Sequence, residues 1–189
     1  KNYLDAQSQQ KIKESIKELL VRKGYKPYQY QLDAVSQALT IINNPDTPNG
    51  LIVSDVVGLG KSIVASLIAK SLGKRGIIIC PPGIVGDKNK RSGWDKYKED
   101  FELYDWEIRP CGLENLERTL ELVKENKEYE VIIVDEVHRF RNQDTEAYEV
   151  LSNLCRDKIV ILLSATPFNN TPADIFSILK LFIVPGKSK

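Results

Sequence analysis

At 189 residues, with 42 % hydrophobic and 28 % charged side chains, the chain is sized for one soluble globular domain and is too short for two comfortable ones. A net charge of +1 supplies no global field for nucleic acid, so such a contact must come from a local patch. Three scattered cysteines and a single histidine argue against a disulfide framework or a metal cage, and no apolar run is long enough to span a membrane. Cys80, Cys111 and Cys155 are expected to be buried free thiols in a reducing compartment. Residues 1–20 are too polar for a signal peptide.

Ile12, Ile16, Leu19 and Leu20 recur at helical spacing, which predicts an amphipathic helix over residues 8–22, ended by Gly24. A turn at Pro27 leads to a second helix with Leu32, Val35 and Leu39 inward. Residues 43–50 are rich in Asn, Pro and Gly and read as a surface loop. Leu51–Val53 is a first strand, followed by a glycine-bearing loop and a helix reaching Gly73. Gly76–Cys80 is a wholly apolar strand. Beyond it lie Pro81-Pro82-Gly83, a loop with Lys88, Lys90 and Arg91, and a charged helix carrying Trp94, Tyr97 and Phe101. Residues 106–111 predict a weaker strand, and Leu113, Leu116, Leu120 and Val123 a helix. Val131–Val134 is a buried strand, then a helix spans residues 145–155, a strand 159–163, and a last helix carries Ile175, Ile178, Leu179 and Phe182.

Strands that read as continuous apolar runs between helices predict an α/β fold, a three-layer sandwich around a mostly parallel sheet buried on both faces. Asp55, Cys80, Cys111, Asp135 and Ser164 then fall at strand C-termini, the edge where open α/β sheets bind ligands.

Two stretches carry chemistry. In DVVGLGKS (residues 55–62), Gly58 and Gly60 flank Leu59 and let backbone N–H groups converge on phosphate oxygens. Lys61 adds a charge for the β/γ-phosphates and Ser62 a hydroxyl for Mg²⁺, at the positive end of a helix. The full phosphate-loop string wants a glycine where Asp55 stands, and the dinucleotide string fails because Ile63 replaces its third glycine. In VIIVDEVH (residues 131–138), two carboxylates end a buried strand, an arrangement that is costly unless a cation or substrate uses them. Asp135 is placed to hold Mg²⁺ through water, and Glu136 to orient and deprotonate an attacking water.

DVVGLGKS, DEVH and LLSATPFNN occur in the order and approximate spacing of motifs I, II and III of superfamily 2 helicases, and GLGKS and SATPFNN resemble the Swi/Snf-type branch with its bacterial helicase-like members. In that family Asp55 is the expected residue. Val56, Ser62 and Val137 replace the usual Glu, Thr and Ala without removing a phosphate or metal ligand. The resemblance covers about residues 25–182 and implies a RecA-like fold that binds ATP and Mg²⁺. It implies domain bounds of 1–24 for a helical extension and 25–189 for lobe 1.

Residue by residue, the resemblance makes Gln31 the reader of the adenine edge, with Gln29 as the competing register. It gives His138, Ser164 and Thr166 roles in coupling the γ-phosphate to a second lobe and to nucleic acid. Residues 81–83 and the Trp94 helix resemble motif Ia, which tracks a DNA phosphate backbone; Lys88, Lys90 and Arg91 are either part of that contact or a solvated loop.

Family enzymes close the ATP site with a second RecA-like lobe carrying arginine fingers. Only 25 residues follow Ser164, so that lobe is expected elsewhere in cis and this lobe to be weakly active or inactive alone. Arg139 and Arg141 follow the DEVH tip too closely to face a γ-phosphate. The implied whole is an intracellular (cytoplasmic), nucleic-acid-associated translocase on double-stranded DNA, with no membrane partner and a monomeric lobe. The competing readings are a nucleotide-gated scaffold without hydrolysis and a P-loop small-molecule kinase; Glu136 argues against the first and SATPFNN against the second.

Overall fold

The computed structural model describes residues 6–54, 60–165 and 172–183. Two helices come first, α1 (Ala6–Arg22) and α2 (Gln29–Asn43). Their apolar stripes are Ile16, Leu19 and Leu20 on α1, and Leu32, Val35 and Leu39 on α2; all six are buried. α1 stops where Gly24 takes a φ of 84°, a conformation that lets the Tyr25 N–H close back on the Leu20 carbonyl at 2.8 Å.

Strands and helices then alternate: β1 (Gly50–Ser54), α3 (Lys61–Leu72), β2 (Arg75–Cys80), α4 (Gly93–Asp100), β3 (Glu107–Pro110), α5 (Leu113–Glu125), β4 (Tyr129–Val134), α6 (Glu146–Cys155), β5 (Ile159–Ser164) and α7 (Pro172–Leu179). Thr145 starts α6 as expected, its hydroxyl accepting the Tyr148 N–H. Phe101 and Phe182 fall just past the helices predicted to carry them; Phe101 caps α4 and is fully buried.

All five strands pair in parallel, in the order β1-β5-β4-β2-β3. The strand ending at Ser164 therefore lies between the one leading to the phosphate loop and the one leading to Asp135. Ser54 stands opposite Ser164, Leu162 opposite Val134, and Val134 opposite Ile79, so the central strands finish together at one edge.

Side chains alternate between two cores. Ile78, Val131, Ile133, Ile161 and Leu163 face the layer built from α1 to α4. Ile77, Ile79, Ile132, Val134, Val160 and Leu162 face the layer that includes Leu116 of α5, Leu151 of α6 and Ile178 of α7. That double burial is why the strands read as unbroken apolar runs, each such side chain contributing about 1.5–3 kcal/mol. Among the described residues no helix is long and apolar enough to cross a membrane.

One expectation needs correcting. Cys80 and Cys155 are buried free thiols, but Cys111 is only half-buried, because it follows the sheet's edge strand β3, whose four residues are themselves half-buried. Burial pushes the Cys80 and Cys155 thiols up to about 12, which leaves them inert.

Candidate functional site

Gly60 opens α3 with φ 87° and ψ 38°, and no side chain caps the helix. The Val64 N–H is the first to close, on the Gly60 carbonyl at 3.0 Å. The N–H groups of Lys61, Ser62 and Ile63 thus have no helical partner among the described residues and present the positive end of the dipole, a natural seat for an anion. A Cβ at position 60 would lie 2.8 Å from the Gln31 amide nitrogen, which puts the end of that side chain against Gly60. Gln31 is 3 % exposed, whereas Gln29 is exposed and donates to Asp33 Oδ1 at 2.9 Å. Of the two glutamine registers, Gln31 is the one beside the loop. Asp55, Gly58 and Leu59 lie outside the described residues.

Asp135 is 4 % exposed at the tip of β4. Its N–H donates to the Ile79 carbonyl at 2.8 Å, which ties the tip to β2. Its two oxygens accept from different sides, Oδ1 from the Glu136 N–H at 2.8 Å and Oδ2 from the Trp94 indole N–H at 3.0 Å. No described cation lies within ion-pair distance of it. Burial raises its carboxyl above the usual carboxylate range, opposed by the Trp94 and Glu136 donors and by the field of Lys61. Glu136 then takes a left-handed φ of 49°, rare for a side-chain-bearing residue, and its carboxylate meets Arg139 Nε at 3.1 Å.

Asp135 and Ser62 line one cavity of about 390 Å³, together with Trp94, Tyr97, Arg91 and Lys96. Among the described residues no group of three or more His, Cys, Asp or Glu could hold a metal. A hard divalent cation here would instead be shared by the Ser62 hydroxyl, the Asp135 carboxylate and the oxygens of a phosphate-bearing ligand, which is how Mg²⁺ is commonly bound. The residues present fit that cation: a buried carboxylate without a neutralising partner opens onto the same cavity as the hydroxyl.

Ser164 Oγ and His138 Nδ1 are buried without a hydrogen-bond partner among the described residues. They flank the same sheet edge, Ser164 ending β5 and His138 lying in the 3₁₀ turn after Glu136. Thr166 lies outside the described residues.

One residue of the basic loop has a partner in the fold. Arg91 is spent on Asp100, a 5 % exposed carboxylate that it meets at 2.9 Å and that also accepts the Tyr25 hydroxyl at 2.5 Å. Burial, followed by the Asp100 carboxylate, raises the Tyr25 phenol well above its ordinary value. Lys88 and Lys90 are exposed. Trp94, placed by the resemblance on a DNA-tracking helix, is 1 % exposed and points into the cavity. The contacts Trp94–Asp135, Arg139–Glu136 and Arg91–Asp100 were not read from the sequence. One signal was present: a tryptophan alone in the charged stretch GWDKYKED must bury its ring and find a partner for its N–H.

Comparison with known proteins places this geometry. Residues 84–189 match the family model described as the SNF2-related domain. The chain is 29 % identical over 187 residues to a Bacillus subtilis protein named as an uncharacterized ATP-dependent helicase, YqhH, covering 92 % of this chain and 32 % of that one. It is 30 % identical over 179 residues to an Arabidopsis thaliana protein named as a probable ATP-dependent DNA helicase, CHR23, covering 82 % and 16 %. The chain therefore spans a third or less of the length of these relatives. Its fold is similar to the Sulfolobus solfataricus SWI2/SNF2 ATPase core solved with double-stranded DNA (TM-score 0.62, 21 % identity, 84 % of this chain and 36 % of that one). It is also similar to the Pyrococcus furiosus Hef helicase domain (TM-score 0.55, 17 % identity, 87 % and 37 %).

Proposed function

This chain belongs to the SNF2-related domain family, and from that premise we propose that it is the N-terminal RecA-like lobe of a DNA-dependent ATPase and translocase that acts on double-stranded DNA. The bounds follow: residues 1–24 form a helical extension and 25–189 the ATP-binding lobe, completed in cis by a second lobe that carries the arginine fingers. The working context is intracellular, with nucleic acid and not membrane as the partner, and the lobe alone is a weakly active or inactive monomer.

The observation that carries this reading is the shared cavity of Ser62 and Asp135 beside the uncapped start of α3. Lys61 and the N–H groups of the first α3 turn bind the β/γ-phosphates of ATP, a role that Gly58, Leu59 and Gly60 share. Gln31, packed against Gly60, reads the adenine edge. Ser62 and Asp135 hold Mg²⁺, which when bound neutralises charge that develops on the phosphates. Glu136 orients the attacking water and accepts its proton, and for this its carboxylate must leave Arg139. His138, Ser164 and Thr166 couple the phosphate end to the second lobe. Ser164 Oγ and His138 Nδ1, buried without a partner among the described residues, are placed to take part in that coupling.

The test uses the full-length protein. Lys61→Ala should abolish Mg-nucleotide binding by calorimetry. Glu136→Gln should bind nucleotide yet lower DNA-stimulated turnover by about 10²- to 10⁴-fold, the range that a positioned base supplies. Parent-like turnover by Glu136→Gln would remove Glu136 as the base. Nucleotide binding without any hydrolysis by the parent would favour the non-hydrolytic scaffold.

A further inference from the structure

We propose that Trp94 is a positioning residue for metal ligation: its indole N–H fixes the plane of the Asp135 carboxylate so that the remaining lone pairs face the cavity shared with Ser62. The inference rests on the nucleotide-site reading above and names the residue that makes its metal ligand competent.

The terminal torsion of an aspartate is broad, so a carboxylate held at one oxygen still swings. Here Oδ1 is held by the Glu136 N–H and Oδ2 by the indole N–H, at 2.8 and 3.0 Å. One donor is backbone and comes with the strand; the other depends on a single side chain 41 residues away in sequence. Each oxygen keeps a second lone pair for a metal or its water.

Indole suits this place. It donates without accepting, so it cannot compete for the cation as a histidine or asparagine would, and it carries no charge at any working pH. Its ring closes one wall of the cavity to water. The indole is itself immobilised. Tyr97 meets it edge-on at 5.7 Å and 72°, and the start of α4 is set by two glycines in left-handed conformations, Gly86 (φ 98°) and Gly93 (φ 61°), so close that a Cβ on Gly93 would lie 2.7 Å from Gly86 Cα. A Cβ on Gly93 would lie 2.6 Å from the Ile84 carbonyl. The Asp95 N–H on the Val85 carbonyl at 3.0 Å closes the same loop.

The experiment reads metal binding directly in the full-length protein, with Mn²⁺ as the probe. Free Mn²⁺ is followed by electron paramagnetic resonance during titration in the presence of ADP, and ADP affinity is measured separately in EDTA. Trp94→Phe keeps the aromatic wall and deletes the N–H. The expected result is a Mn²⁺ affinity weakened by about 10- to 100-fold, the usual cost of losing the group that orients a metal ligand, with ADP affinity in EDTA unchanged. A merely structural tryptophan would move both affinities or neither. If Trp94→Phe misfolds, benzothienylalanine incorporated at position 94 replaces the N–H by sulfur at nearly constant shape, and the same selective loss is expected. Parent-like Mn²⁺ affinity in either variant overturns the inference while leaving the site reading intact. A parent protein that binds neither ADP nor Mn²⁺ with ADP overturns both.

Discussion

Two buried carboxylates sit at opposite ends of the short helix α4, and the protein treats them differently. Asp100, at its C-terminal end, is neutralised: Arg91 forms an ion pair with it and Tyr25 donates a hydroxyl. Asp135, reached from its N-terminal end through Trp94, is at least as buried but receives only neutral donors. The first arrangement joins the loop before α4 to the segment between α1 and α2 and holds the fold. The second keeps a desolvated negative charge facing a cavity, which weakens the fold at that point and is what a cation site requires.

The largest effect that tests this contrast is on turnover. Asp135→Asn should lower ATP hydrolysis by about 10²-fold or more in the full-length protein, since metal charge stabilisation is worth several kcal/mol. It should not cost stability. Burial raises the folded carboxyl above its unfolded value, so its stabilising contribution is complete below the unfolded value and is lost as pH rises through the folded one. The asparagine variant escapes that loss. Its denaturation midpoint should exceed the parent's at neutral pH, with the gain vanishing at acidic pH; a variant less stable at neutral pH would mean that Asp135 is structural.

Asp100 should behave in the opposite way. Arg91→Met leaves a buried carboxylate without its cation and should cost about 1–3 kcal/mol in urea unfolding, a figure reduced because Arg91 is itself well exposed. Tyr25→Phe, which removes one hydrogen bond to the same carboxylate, should cost less, about 0.5–1.5 kcal/mol. Tyr25→Phe should leave nucleotide affinity unchanged, since Tyr25 does not line the cavity shared by Ser62 and Asp135.

The arginine's commitment to Asp100 also sharpens the nucleic-acid expectation. With Arg91 occupied, only Lys88 and Lys90 of that loop remain for phosphates. Replacing both by Gln should flatten the salt dependence of duplex binding by up to about two units of slope, at about 0.9 per phosphate, and adding Arg91→Gln should change it little further. An unchanged slope in the double variant would make the loop a solvated one.

A third carboxylate completes the scale at its weak end. Glu102, half-buried, gathers Arg22 at 3.1 Å, Lys70 at 3.2 Å and Lys23 at 3.8 Å, the first two cations being open to solvent. The Lys70 hydrogen bond and then the nearby cations hold its carboxyl below the usual range. A lowered carboxyl stabilises above its unfolded value and ceases to do so as pH falls through the folded one. Amide exchange in α1, which Arg22 tethers, should accelerate slightly over that acidic window and be insensitive in Glu102→Gln. It is the smallest effect of the series, because exposed pairs are screened.

Much of this protein is legible along the chain. The alternation of unbroken apolar runs with helical stripes determined a parallel α/β sandwich, because a strand covered on both faces has no polar side to show. Strand ends such as Asp135 and Ser164 are local features, so the edge at which the site collects followed from topology alone. Where the signal was a backbone conformation, as at Gly24 and Gly60, the residue type itself carried it. Partnership was not legible. Nothing in the order of residues says that Arg91 spends its charge on Asp100, that Arg139 lies on Glu136, or that the partner of the buried Trp94 N–H is Asp135. Cys111 was misjudged for a similar reason, since only the strand order made β3 the edge. Helices and strands arise from periods of two to four residues, whereas a hydrogen bond across 41 positions exists only after the sheet has formed and α4 has packed on it.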